Sequence, residues 1–172
     1  MAKLAAEQHG VVCRRQLAEF GIDDAAIGRR IAKGRLHRIF PGVYSVGHAR
    51  LITEGRWMAA VLACGSGAVL SHLDAAALWQ IYAGTGARVH VIVQSRRTVA
   101  GLWIHRARRL HPDDVTTHHG IPVTSVARTL VDLTDVLSHE RLLRAIRETE
   151  YQRLLDQDAL AAAVERAHGR NA

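Results

Sequence analysis

Apolar positions recur at helical spacing up to residue 34, alternate from 35 to 46, and return to helical spacing after 54. Leu4 to His9 predicts a first helix that ends near Gly10. Arg14 to Phe20 predicts a second, with Leu17 and Phe20 at i and i+3 on one face. Gly21 suits the left-handed residue that closes a helix. Asp23 is a good N-cap for a third helix, and Ile22 with Ile27 fits a hydrophobic staple across its start. On that helix Ile27 and Ile31 share a face, while Ala26, Arg29 and Lys33 lie roughly opposite and Arg30 sits at the edge. Gly34 ends it. Then Arg35, His37 and Arg38 are interleaved with Leu36 and Ile39, Pro41-Gly42 signals a turn, and Val43 to Val46 reads as a returning strand.

Two helices around a glycine turn, followed by a basic hairpin, give the layout of a winged helix-turn-helix. Such a unit presents one helix to a DNA groove and a loop to the adjacent backbone. The apolar face of the third helix must pack inward. Its small and cationic face, Ala26, Arg29, Arg30 and Lys33, is then placed toward a groove, with Arg35, His37 and Arg38 as wing or phosphate contacts. Arg14, Arg15 and Gln16, at the start of the second helix, complete the expected DNA-binding set.

Beyond a hinge at 47–51 the pattern is mixed. Glu54 to Ala63 predicts a helix with Trp57, Val61 and Leu62 as its apolar contacts, broken by Gly65-Ser66-Gly67. Ser71 caps another running to about Gln80, and Gly84 to Gly86 reads as a loop. Strands are expected at Arg88 to Val93, Leu102 to Arg106 and Gly120 to Thr124. Three helices follow: one from Ser125 through Asp135, one capped by Ser138 with Leu142, Leu143 and Ile146 inside, and one capped by Asp156 with Leu160 and Val164 inward. The expected fold class is α+β: a winged unit over residues 1–48, then helices and a small β-sheet over residues 49–172.

Charge sharpens this division. The net charge is +7, and residues 1–50 hold nine basic against four acidic side chains, whereas residues 51–172 hold fourteen against twelve. The cationic excess lies where the DNA-binding layout lies, which points to a polyanionic partner. Arginine dominates, with Lys3 and Lys33 the two lysines; GC-rich coding accounts for that equally well.

Cys13 and Cys64 are isolated, without a CxxC, so free thiols in a reducing, cytoplasmic setting are expected. Met1-Ala2-Lys3 leads straight into a helix rather than a signal peptide, and no apolar run reaches the length of a membrane span.

Catalytic patterns are missing. The eleven histidines group most densely at His118-His119 and at His105 with His111, but without HExxH spacing or a matched cysteine pair, so no metal site is expected. A PD-(D/E)XK nuclease needs a lysine two residues after an acid. Lys3 and Lys33 follow Met1 and Ile31 at that spacing. A nucleotidyltransferase needs Gly-Ser followed by Asp-x-Asp; Gly65-Ser66 stands far from Asp156-Gln157-Asp158. Ser71-His72-Leu73-Asp74 resembles a catalytic triad in composition alone. With no phosphate loop or dinucleotide fingerprint either, the chain is expected to be no enzyme and to take no cofactor.

The run V-x-R-x-Q-L, then G-I, then A-I-x-R-R-I-A-x-G-R-L-H-R-I-x-P-G-V-Y resembles the N-terminal domain of the AbiEi antitoxins of type IV toxin–antitoxin systems. Arg14, Gln16, Leu17, Gly21, Ile27, Arg29, Arg30, Gly34, Arg35, Leu36, Arg38, Gly42, Val43 and Tyr44 carry the likeness. A second run, Gly120 to Leu133, resembles the C-terminal antitoxin domain, where I-x-V-T-S-x-x-R-T-L-x-D-L recurs; there Arg128 and Asp132, at i and i+4, are placed to pair on the helix surface. The resemblance implies a repressor of its own promoter, functionally opposed to a nucleotidyltransferase-like toxin without a stable complex. It also implies that proteins of this layout often continue into an endonuclease-like domain; the chain stops at Ala172, which leaves a short form and a truncated form both open. The competing expectation is a protein-interaction module without specific DNA binding, or the remnant of a longer protein.

Overall fold

Three short helices and three short strands account for the first 46 residues. The computed structural model describes residues 1–84 and 86–168. Its first elements are α1 (Ala2–Glu7), β1 (Val11–Cys13), α2 (Arg14–Glu19), α3 (Asp24–Ala32), β2 (Leu36–Phe40) and β3 (Val43–Val46). The strands form an antiparallel sheet in the order β1-β3-β2. With the helix order, this is a winged helix-turn-helix.

β1 is absent from the sequence expectation because three residues, Val-Val-Cys, are too few to show alternation. It is nonetheless fixed by its neighbours, with Val11 opposite Ser45 and Val12 opposite Tyr44. Both valines are fully buried, because successive residues enter two different cores. Val12 and Tyr44 join Leu17, Ile27 and Leu36 beneath the helices of the winged unit. Val11 and Val43 face the other way, into the main core.

That main core belongs to the rest of the chain: α4 (Thr53–Cys64), β4 (Val69–Leu70), α5 (His72–Leu78), β5 (Val89–Val93), β6 (Leu102–Arg106), a 3₁₀ turn (Pro112–Asp114), β7 (Val115–His118), β8 (Ile121–Thr124), α6 (Val126–Leu133), α7 (His139–Tyr151) and α8 (Gln157–His168). The second sheet has the order β6-β5-β4-β8-β7. β5 and β6 are parallel, as are β4 and β8; the other pairs are antiparallel.

The helix α4 explains how the two sheets meet. Its residues Trp57, Met58, Ala59, Ala60, Val61, Ala63 and Cys64 are all buried. A helix apolar on nearly every side must be covered on nearly every side. α4 packs against β1, β2 and β3 on one flank and against β4, β5 and β8 on the other. Gly55 makes the approach close: a Cβ there would lie 2.8 Å from the carbonyl oxygen of His9. A further tie joins His9 Nε2 to the carbonyl oxygen of His119, 2.7 Å away on the turn between β7 and β8.

Several expectations are corrected. α1 begins two residues before Leu4 and ends at Glu7, because His9 and Gly10 both take positive φ. Phe20 does not share a buried face with Leu17; it is exposed. α5 stops at Leu78, ahead of Gln80 with φ 60°. α6 is shorter at both ends than Ser125 to Asp135. Leu143 and Val164 are exposed, while Leu142, Ile146 and Leu160 pack with Leu130 and Leu133. The two-residue β4 and the strand β7 were not expected. The expected loop at 84–86 includes Thr85, which lies outside the described residues.

Arg128 and Asp132 do pair, but in the interior rather than on the helix surface. Arg128 Nε donates to Asp132 Oδ1 at 2.7 Å, and its NH1 donates to Asp114 Oδ2 at 3.0 Å. Arg166 donates to the other oxygen of Asp114 at 2.7 Å. Two arginines and two carboxylates thus bind α6, the 3₁₀ turn and α8 together.

Candidate nucleic-acid interface

The third helix is set by its first turn. The Asp23 carboxylate accepts a hydrogen bond from the Ala26 backbone N–H at 2.7 Å, satisfying one of the N–H groups that a helix start leaves unpaired. Ile22 and Ile27 both pack into the small core, completing the staple. Ile27 is buried and Ile31 half-buried, so the inward face is as expected.

Arg29 and Lys33, four residues apart on the outer face, are both exposed. Ala26 is half-buried, and its carbonyl oxygen accepts a hydrogen bond from Arg30 NH1 at 3.2 Å. Arg30 is therefore laid along its own helix rather than extended outward.

The start of α2 departs from the expected DNA-binding set. Gln16 Oε1 accepts from the Cys13 backbone N–H at 2.9 Å and closes a capping box. Its amide is engaged in holding the helix. Arg14 pairs with Asp24 and so ties α2 to α3. Its backbone N–H donates to the Gly42 carbonyl at 2.7 Å, which anchors the wing turn to the same helix. Gly42 has φ 75°, a conformation glycine adopts without the penalty a side chain brings. Arg15 is exposed, 3.9 Å from Glu19 on the same helix.

The wing separates two residues that the sequence placed together. Arg38 stands opposite Tyr44 in the sheet register, and His37 opposite Ser45. Paired residues share a face, and neighbours along a strand do not. Arg38 therefore lies on the side of α3, whereas half-buried His37 lies on the side that α4 covers. Between α3 and the wing runs a cleft of about 310 Å³, with Ile27, Gly28 and Ile31 on the helix side and Arg38, Pro41 and Tyr44 on the other. Arg35, at the junction of helix and wing, is exposed.

The structure thus brings Arg29, Lys33, Arg35 and Arg38 to the solvent-facing side of α3 and the wing. Arg14, Gln16 and Arg30 also make contacts within the unit, Arg15 is exposed on α2, and His37 lies on the other face of the wing. The pairing of Arg14 with Asp24 has an electrostatic consequence: it neutralises an acid on the helix that would otherwise repel phosphates.

No helix among the described residues is long and apolar enough to cross a membrane. No curated protein matches the chain. Residues 1–47 match a family model described as "Transcriptional regulator, AbiEi antitoxin". That span ends one residue after β3, so the matched segment and the winged unit coincide. The winged unit of this chain is thus similar in sequence to the AbiEi antitoxin transcriptional regulators.

Proposed function

We propose that the chain is a DNA-binding repressor that recognises its own promoter, with α3 in the major groove and the wing against the flanking backbone. The observation that carries this reading is the pair Arg29 and Lys33. Both are exposed on the outer face of a helix whose inner face is held by Ile27 and Ile31. Arg29 has the reach and donor geometry to read a guanine edge through two hydrogen bonds. Lys33, Arg35 and Arg38 neutralise phosphates, which supplies affinity without sequence information.

In this reading the chain acts by binding and not by catalysis, in the cytoplasm, on double-stranded DNA. Its antitoxin role is the functional opposition of a nucleotidyltransferase-like toxin without a stable complex. The match of residues 1–47 to a family of antitoxins and transcriptional regulators supports the coarser reading, an antitoxin and regulator. Nuclease footprinting of the full chain on DNA from upstream of its own gene tests the proposal. A protected site that needs a higher protein concentration with Arg29→Ala is expected; uniform cleavage at saturating wild-type protein would refute the proposal.

A further inference from the structure

Three histidines from separate elements meet in the second part of the chain. His72 is the first residue of α5, His90 lies on β5 and His105 on β6. In the parallel register His90 stands opposite Trp103 and Ile92 opposite His105, so the two imidazoles lie diagonally on one face. His90 Nδ1 is 3.0 Å from His105 Nε2. The His72 ring stacks on His105 with centroids 3.6 Å apart and lies 5.4 Å from His90. One ring nitrogen from each residue falls within a set whose members are all within 4.8 Å of one another.

We propose that His72, His90 and His105 form a binding site for one divalent transition-metal ion, with zinc the ion that fits its chemistry. Imidazole nitrogens suit zinc, and three of them with an open fourth position is a recurrent zinc arrangement. Tetrahedral bonds of ~2.0–2.1 Å hold ligand nitrogens roughly 3.3 Å apart. The 3.0 Å spacing of His90 and His105 is close to that; the rings, stacked at 14° and 20° to one another, turn about their side-chain bonds so that their in-plane lone pairs converge on the ion.

Further observations fit a ligating role. His72 and His90 are buried, and His105 is half-buried beside the exposed Trp103 strand, so an ion has a route in. Ser71 Oγ lies 2.9 Å from His72 Nδ1, a placement that orients a ring for coordination through its other nitrogen. That nitrogen, Nε2, is 4.0 Å from Asp135 Oδ2, so a carboxylate stands beside the site. His72 also takes φ 51°, an uncommon backbone for a non-glycine residue.

The backbone around the trio is held independently of the rings. Asp74 accepts from the His90 backbone N–H and from Trp57 Nε1, each at 2.8 Å, fixing β5 against α5 and α4.

The untagged full chain, stripped with chelator and dialysed against Zn²⁺ at about pH 7.5, where imidazoles are neutral, tests the site. One zinc per chain is expected by elemental analysis. Replacing His105 by Gln should weaken binding at least about tenfold, whereas His111→Gln should leave it unchanged. Cobalt loading of the wild type gives a readout that needs no variant: intense visible bands of a tetrahedral ion are expected. Sub-stoichiometric zinc in the wild type, a pale octahedral cobalt spectrum, or undiminished affinity in a folded His105→Gln protein would each overturn the proposal.

Discussion

Arg128 is 3% exposed, yet it keeps its charge beside Asp114 and Asp132. Desolvation of such a group is tolerated because two carboxylates face it. Arg128→Met removes the shared cation and leaves Asp132 buried without it, so a loss of about 3–5 kcal/mol in urea unfolding is expected. A loss under about 1 kcal/mol, the range of an exposed pair, would show that the network is not the tie described here. The sequence announced the i, i+4 pair but not its burial, because Asp114 and Arg166 arrive from 14 and 38 residues away along the chain.

Cys64 is governed by burial too. Desolvation, partly opposed by Arg97, pushes its thiol up to about 11. The unfolded thiol ionises near 9, so the folded state retains the proton longer. The Cys64 contribution is present below about pH 9 and is lost as pH rises toward 11. Stability curves for wild type and Cys64→Ala should converge over that window; curves that run parallel there would contradict the assignment.

At the scale of elements, α3 and the wing were largely legible because their determinants are local. Ile22, Asp23, Ile27 and Ile31 fix the helix within ten residues, and Pro41-Gly42 fixes the turn. What could not be read was partnership. Gln16 has the chemistry of a base reader, and only the position of the Cys13 N–H makes it a cap. β1 and β4 exist because longer strands pair with them. His37 and Arg38, by contrast, could have been separated from sequence by the two-residue period of a strand.

Two predictions belong to these elements. Arg29→Ala should weaken promoter binding by ~1–3 kcal/mol and relax specificity at one base pair. Arg35→Ala and Arg38→Ala should weaken all sequences alike and lower the slope of log affinity against log salt by about 0.9 each. An unchanged slope would remove those side chains from the phosphate contacts, and His37→Ala should leave it unchanged in any case.

For the whole molecule, the main consequence is that the winged unit is not suspended on a linker. Its sheet is buried on both faces, by its own helices on one and by α4 on the other. The hinge at 47–51 read from the sequence is a short turn whose carbonyl at His48 is held by Ser45 Oγ at 2.6 Å. Gly55 is the test of this docking. Gly55→Ala sets a methyl against the His9 carbonyl and should destabilise the chain by about 1–3 kcal/mol in a single cooperative transition. A silent substitution, or a first transition confined to residues 1–47, would show that the two parts are not joined as described. The histidine trio is the matching case of information spread too widely to read: His72, His90 and His105 lie in three elements, and nothing in their spacing links them.

The central claim is that α3 and the wing form a sequence-specific DNA surface. Binding isotherms of the full chain, on a duplex from upstream of its own gene and on a shuffled duplex of equal composition, test it most directly at ~0.15 M salt. Binding to the native duplex at least ~10³-fold tighter is expected, the lower end of specific over non-specific recognition. Equal affinity for the two duplexes, or binding to neither, would contradict it.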